Sequence, residues 1–437
     1  MTVQHSQKRN TRPTLDVERM ELPNGLVLLL SENHWIPSVS INAIVTAGSR
    51  FEADDQAGLA SLTGALLDAG TTSRTSQQIA ETIESAGGQL GTFGDYQSSG
   101  AVVRLLSKDT ALGLDVASDL LVNATFPEAK VREHADRRTA QIKARLDVPR
   151  TQASDVFNEI VFQGSPQHRP PIGYEETVKR LTRGDVEQFY RRFYVPQNMM
   201  LSIAGDIDKN EVKGIVGATF GRLPRAQEFQ VPQVPLPHRQ TRPIERFVAA
   251  AKEQVNVIIG HLGIERRNPD YYALLLMDTI LGSSPGFTSR IPRILRDEQG
   301  LAYTTFSNIT SSAGLDPGRF IAYIGTAPEN LDRAVSGLRL EIERIVEEGV
   351  TAEELETAKL YLTGSFVFHF QRNSQIADFL LEAELYGLGF DYLQRYPELI
   401  RATSIEDVSR VTRKYIDPQN LTTVVVGPID EQGKPIK

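Results

Sequence analysis

The feature that most constrains this chain is an internal repeat. The segment "DVEQFYRRFYVPQNMMLSIAGDID" (185–208) returns as "DVSRVTRKYIDPQNLTTVVVGPID" (407–430). Asp185/Asp407, Pro196/Pro418, Gln197/Gln419, Asn198/Asn420, Gly205/Gly427 and Asp208/Asp430 all pair at a constant offset of 222 residues, without a gap. Each copy reads as a helix, a Pro-Gln-Asn turn and an apolar strand that ends at glycine. A unit that recurs this way implies two homologous halves. The length agrees, because 437 residues are too many for one ordinary core.

Between the copies lies "RLPRAQEFQVPQVPLPHRQTRP" (222–243), with five prolines. Such a stretch resists helix formation and reads as a stiff linker. The expected organisation is a first domain over 15–224, a Pro-rich linker over 225–244 and a second domain over 245–437. Within the first, "LVLLLSEN" and "SVSINAIVTAG" read as strands. "TSQQIAETIESAGG" reads as a helix with Thr75 and Gln78 as a capping box and Gly87-Gly88 as its stop. The second domain follows the same plan, with "EQVNVIIGHLG" as strand, "PDYYALLLMDTILG" as helix, and "TAEELETAKLYLTGSF" as a helix capped by Thr351 and Glu354. Strands that alternate with helices, together with hairpin-like pairs, give an α+β fold made twice. Each half is a sheet with helices on one face.

Composition narrows the function. There is no cysteine, which excludes disulfides, thiolate metal sites and cysteine nucleophiles. Net charge is −8, which argues against a general nucleic-acid binder and leaves room for peptides as partners. The longest apolar runs are of strand length, so no membrane-spanning helix is expected. The first fourteen residues lack an apolar signal core, so the default compartment is cytoplasmic, or periplasmic if a signal peptide has been removed.

One helix reads as a site with its chemistry removed. In "GLASLTGALLDAGT" (58–71), Leu59, Leu62 and Leu66 form a core face. On a neighbouring face, Ser61, Gly64 and Ala65 stand at i, i+3 and i+4, where three side chains would meet above one point. They offer a hydroxyl, a hydrogen and a methyl. As residues alone, they read as small groups for helix packing.

The stretches "AGSRFEADDQAGLASLTGALLDAGT", "PPIGYEETVKRLTRGDVEQFYRRFYVPQNMMLSIAGDID" and "LGSSPGFTSRIPRILRDEQGLAYTTFSN" resemble peptidase family M16, the pitrilysin and mitochondrial-processing-peptidase group. The resemblance covers nearly the whole chain. It implies two similar mainly antiparallel α+β domains, the LuxS/MPP-like metallohydrolase fold. The family carries an inverted zinc motif, His-x-x-Glu-His, directly after Gly-Leu-Ala. Its positions fall here on Ser61, Gly64 and Ala65. The third ligand, a Glu downstream, matches Gln141, and an assisting Glu seven residues earlier is replaced by His134. Ser, Ala and Gln do not make a zinc site, and Gly64 leaves no general base. The seven histidines offer no substitute, since no two lie within four residues of each other.

The second half keeps other groups. "LRDEQGLAY" sets Arg296 and Tyr303 seven apart, with Pro292 in the first turn of a short helix, Gly300 at its C-cap and Tyr303 at a strand start. From the string alone, Arg296 pairing with a carboxylate and Tyr303 filling a core is the simpler reading. The resemblance implies instead that both reach an active site, bind the peptide and stabilise the tetrahedral intermediate. "LGSSPGFTSR" (281–290), with Gly282, Ser283, Ser284 and Gly286, reads as a Gly/Ser connection, and resembles the loop that takes in substrate in noncatalytic processing-peptidase subunits.

The expectation is therefore a noncatalytic subunit of a two-component M16 metallopeptidase, inactive alone. It would bind no cofactor itself, with zinc held by a heterodimeric M16 partner and extended peptides as substrate. The rivals are a structural subunit like the respiratory core proteins, a peptide-binding homodimer without proteolysis, and a solo zinc peptidase.

Overall fold

A computed structural model describes residues 15–284 and 289–436. The first sheet contains β1 (Val17–Glu21), β2 (Val27–Glu32), β3 (Ser38–Val45), β4 (Gln89–Gly94), β5 (Ser99–Leu106) and β6 (Met199–Gly205). Their spatial order is β1-β2-β6-β3-β5-β4. The second contains β7 (Ile244–Ala249), β8 (Val255–Leu262), β9 (Ala302–Asn308), β10 (Arg319–Thr326) and β11 (Thr422–Gly427), in the order β7-β11-β8-β10-β9. Among the described residues only β2 with β6 and β7 with β11 run parallel; the other paired strands are antiparallel. The repeated segment supplies β6 and β11. Each lies between one parallel and one antiparallel neighbour, so the sequence repeat is also a repeat of topology. Both capping boxes form, Thr75 with Gln78 and Thr351 with Glu354.

The strands are apolar on both faces. In β2, β3 and β6, Leu28, Leu30, Ile41, Ala43, Leu201 and Ile203 point into one core, while Leu29, Ile44 and Met200 point into another. Buried strands lose the polar alternation of a half-exposed sheet because neither face meets water. The second face of each sheet takes a helix from the other half. Helix Pro149–Val161 sends Ala153, Phe157 and Val161 onto Ile258, Ile321 and Val424 of the second sheet. Helix Asn373–Tyr386, which begins 224 residues later, lies on β3 and β6. There Asn42 donates to Asp378 at 2.6 Å and the Ser202 hydroxyl donates to the Ala377 carbonyl at 2.7 Å. Full burial of a side chain such as Phe157 contributes about 1.5–3 kcal/mol. The exchange therefore binds the halves as a core does.

A polar clamp adds to it. Asp316, 5% exposed, pairs with Arg50 at 2.7 Å and accepts the Tyr96 hydroxyl at 2.8 Å. Burial and the Asp316 charge both push the Tyr96 phenol up. At the rim, Arg19 donates two bonds to Glu384, at 2.9 and 2.8 Å. Residues 223–243 of the Pro-rich segment carry neither helix nor strand, and Ile244 already opens β7. The segment touches both halves, Gln240 donating to the Ile160 carbonyl and Arg239 to that of Tyr415.

Candidate functional site

Helix Leu59–Ala65 starts from an unusual cap. Gly58, at φ +99°, turns the chain where a Cβ would lie 2.8 Å from the Ile172 carbonyl. Glu52 folds over this end, and its carboxylate accepts the N–H groups of Gly58 and Ala60. Burial pushes Glu52 up to about 8, against the pull of those two donors and Arg169.

The three small residues have distinct surroundings. Gly64 faces β4 so closely that a Cβ would stand 2.2 Å from the Phe93 carbonyl oxygen. The fit is mutual: a Cβ on Gly94 would stand 2.4 Å from the Ala60 carbonyl. Helix and strand thus pack backbone to backbone, and any side chain at either position forces them apart. Ser61 is buried and Ala65 half-buried. Small residues at this face serve packing.

Helix Glu128–Leu146 crosses the same short helix and brings Gln141 to it through Arg138. The Arg138 guanidinium donates to the Ser61 carbonyl at 3.4 Å and to the Gln141 amide oxygen at 3.2 Å. His134, one turn earlier, is half-buried; burial holds its imidazole below the usual value while Asp68 opposes that shift. Burial raises Asp68 in turn. A hydroxyl, a methyl and an amide beside a guanidinium do not fit zinc, which takes imidazole, thiolate or carboxylate donors. The positive charge of Arg138 opposes a cation there as well. Among the described residues no group of three or more His, Cys, Asp or Glu is placed to hold a metal ion.

In the second half, residues Pro292–Glu298 form a π-helical turn, wider than the ordinary short helix that the spacing suggests. Its end is correspondingly wide. Leu301 N–H reaches the Leu295 carbonyl and Gly300 N–H that of Arg296, with Gly300 at φ +62°. β9 then begins. Tyr303, 90% exposed, stands on this edge strand. Arg296 donates from Nε to Asp297 at 2.8 Å. That bond raises its pKa despite some desolvation, and the Tyr303 phenol adds to the same direction.

A second π-helical turn, Thr279–Ser283, presses on β9. Gly282 is buried there, and a Cβ would lie 2.4 Å from the Ser307 nitrogen. Ser283 is exposed and Ser284 buried; Gly286 lies outside the described residues. Just before this turn, Asp278 is fully enclosed. One of its oxygens accepts from Ile309 N–H and the Thr310 hydroxyl, both at 3.1 Å, and the other has no partner. Burial pushes Asp278 up to about 7. Arg138, Glu52 and Asp278 fall outside the motifs that the sequence displays. Two of them leave a signal all the same: Arg138 shares a face with Gln141 at i, i+3, and Asp278 is the lone acid within the apolar run of "YYALLLMDTILG".

Two family models match this chain in succession, Insulinase (Peptidase family M16) over residues 27–173 and Peptidase M16 inactive domain over 180–362. The chain belongs to peptidase family M16. An uncharacterized zinc protease of Streptomyces coelicolor is 28% identical over 427 residues, 95% of this chain and 90% of that relative. One of Mycobacterium leprae is 26% identical over 411 residues, 94% and 91% of the two chains. The crystal structure of a peptidase M16 inactive domain from Pseudomonas fluorescens superposes with a TM-score of 0.89 at 22% identity, over 97% of this chain and all of that one. A protease from Helicobacter pylori gives 0.86 at 19%, over 94% and 99%. These superpositions establish the two-part M16 fold. This member carries no zinc donors at Ser61, Ala65 and Gln141. Among the described residues no helix is long and apolar enough to cross a membrane.

Proposed function

We propose that this chain is the non-zinc-binding subunit of a two-component M16 metallopeptidase of the cytoplasm. Its units are residues 15–224 and 245–437, joined by 225–244. A partner M16 chain supplies the zinc and the general base. This chain supplies Arg296 and Tyr303 and part of the wall around an extended peptide, with Ser283 and Ser284 at its entrance. The observation that carries the reading is the 90% exposure of Tyr303 on a sheet edge, with Arg296 in the turn that leads into that strand. A phenol that packs a core is not left in water. A guanidinium and a phenol offer six N–H and O–H donors between them. Donors aimed at a developing oxyanion stabilise a transition state by about 3–4 kcal/mol each. The free edge of β9 also suits strand addition by a peptide.

The test uses this chain co-purified with its zinc-bearing partner. Arg296→Ala and Tyr303→Phe should leave folding and association intact and lower kcat per complex by about tenfold to a thousandfold. The two losses need not add, because both donors serve one group. A structural subunit predicts the reverse: weaker association, lower Tm and unchanged turnover per complex. Unchanged turnover in the double variant rejects the proposal.

A further inference from the structure

We propose that Arg138, at the junction of helices Leu59–Ala65 and Glu128–Leu146, is a receptor for a carboxylate carried by a bound peptide. The inference rests on the proposed function, in which the chain encloses peptides, and names one group such a peptide presents.

Arg138 is half-buried, and its two hydrogen bonds go to neutral oxygens, the Ser61 carbonyl at 3.4 Å and the Gln141 amide at 3.2 Å. Both are long for a guanidinium. Among the described residues no carboxylate pairs with it, and burial alone moves its pKa, downward, with no acid opposing. Charges taken out of water are ordinarily matched by an opposite charge. The neighbouring cations follow that rule. Arg137 and Lys130 share Glu133, Arg132 pairs with Glu128, and Lys143 with Glu175. Arg138 is the exception on its helix face.

The chemistry of the ligand follows from the charge count. His134 is held towards its neutral form by burial, so it adds little positive charge. One uncompensated guanidinium suits a monoanion better than a dianionic phosphate. Its planar fork matches the two oxygens of a carboxylate. A C-terminal carboxylate and a Glu or Asp side chain present the same group. Arg138 is only half-buried and its partner Gln141 is exposed, so solvent reaches the guanidinium from the side of Gln141 rather than through the buried helix Leu59–Ala65.

The experiment measures binding of fluorescein-labelled heptapeptides of otherwise uncharged sequence to the full chain. One pair ends in a free carboxylate or an amide. A second pair, amidated, carries Glu or Gln at its centre. Hydrogen bonds to a charged group correspond to roughly 10- to 100-fold in affinity. Wild type should prefer at least one carboxylate peptide by that factor, and the pair that discriminates identifies the source. Arg138→Gln and Arg138→Met should abolish the preference, while Arg138→Lys, which keeps the charge and loses the fork, should retain part of it. Tm separates this role from a structural one. Removing an unpaired, half-buried charge should leave Tm unchanged or higher; removing a clamp between the helices should lower it. Peptide binding without carboxylate preference overturns the inference and leaves the proposed function standing. No binding of any peptide overturns the inference, and the kcat of the complex with Arg296→Ala and Tyr303→Phe decides the proposed function separately. A lower Tm in Arg138→Gln and Arg138→Met, with the preference intact, assigns Arg138 to holding the helices and overturns it too.

Discussion

At the edge of the first sheet, helix Leu59–Ala65 lies on β4 with Gly64 at the contact; at the edge of the second, the turn Thr279–Ser283 lies on β9 with Gly282 in the same role. In both halves a glycine brings backbone against backbone. What stands beside the contact differs. The first half presents the Ser61 carbonyl and the Gln141 amide to a guanidinium that no carboxylate matches among the described residues. The second presents a phenol in solvent and, in the turn before its strand, a guanidinium already matched by Asp297. A repeated fold thus keeps its way of seating an edge strand while the groups displayed there diverge. Packing is what the two copies share, and chemistry is what separates them.

The largest effect should come from forcing the first half back towards a metal site. Ser61→His, Gly64→Glu, Ala65→His and Gln141→Glu together should bind no stoichiometric zinc and should disrupt the first sheet, because the Glu at 64 has no room against Phe93. Gly64→Ala alone should cost about 1–3 kcal/mol in denaturant unfolding, and Gly282→Ala a similar amount. Elemental analysis with about one zinc per folded quadruple variant would erase the contrast between the halves.

Asp316→Ala should rank next. It strands Arg50 and the Tyr96 hydroxyl at the seam, and breaking a buried pair on one side costs about 3–5 kcal/mol. A change below about 1 kcal/mol in chemical unfolding would mean that the exchanged helices alone bind the halves.

The buried acids give a smaller, pH-dependent effect. Asp278 titrates near 4 when unfolded and about 7 when folded. Between those values the folded chain holds a proton that the unfolded chain has released. Stability is therefore full below pH 4 and falls as pH rises to 7, by at most about 1.4 kcal/mol per unit. Asp278→Asn should flatten that part of the Tm–pH curve. Glu52, raised to about 8 in the first half, has the same sign and should leave a residual slope. An unaltered curve in Asp278→Asn would show that this carboxyl is already ionised when folded. The least effect belongs to Arg19→Ala, whose exposed pair with Glu384 is worth about 1 kcal/mol or less by the same unfolding assay.

Much of this was legible in the sequence. The repeat located β6 and β11 because identities at one offset need no knowledge of packing. The capping boxes at Thr75 and Thr351 are local, so spacing sufficed. The loss of zinc donors at Ser61, Ala65 and Gln141 needed only the resemblance. Other features depend on which surface meets which. An amphipathic helix such as Pro149–Val161 declares that it has an apolar face and not which sheet receives it. The spacing of Arg138 fixes its side of the helix and not the absence of a carboxylate opposite. Gly64 looked like a small residue for packing, but only the position of β4 shows how little space remains.

The exchange of helices also sets a schedule for the chain's synthesis. Helix Pro149–Val161 leaves the ribosome long before β11, whose last residue is Gly427, completes the sheet that receives it. At about 5–20 residues per second the interval is roughly 15–50 s. Over that time the sheet that receives Phe157 and Val161 is incomplete, and until residue 386 is made the outer face of β3 and β6 has no helix Asn373–Tyr386 to cover it. The first half is translated first, yet the helix that completes it ends at Tyr386, deep in the second half, so its apolar surfaces need shelter until then.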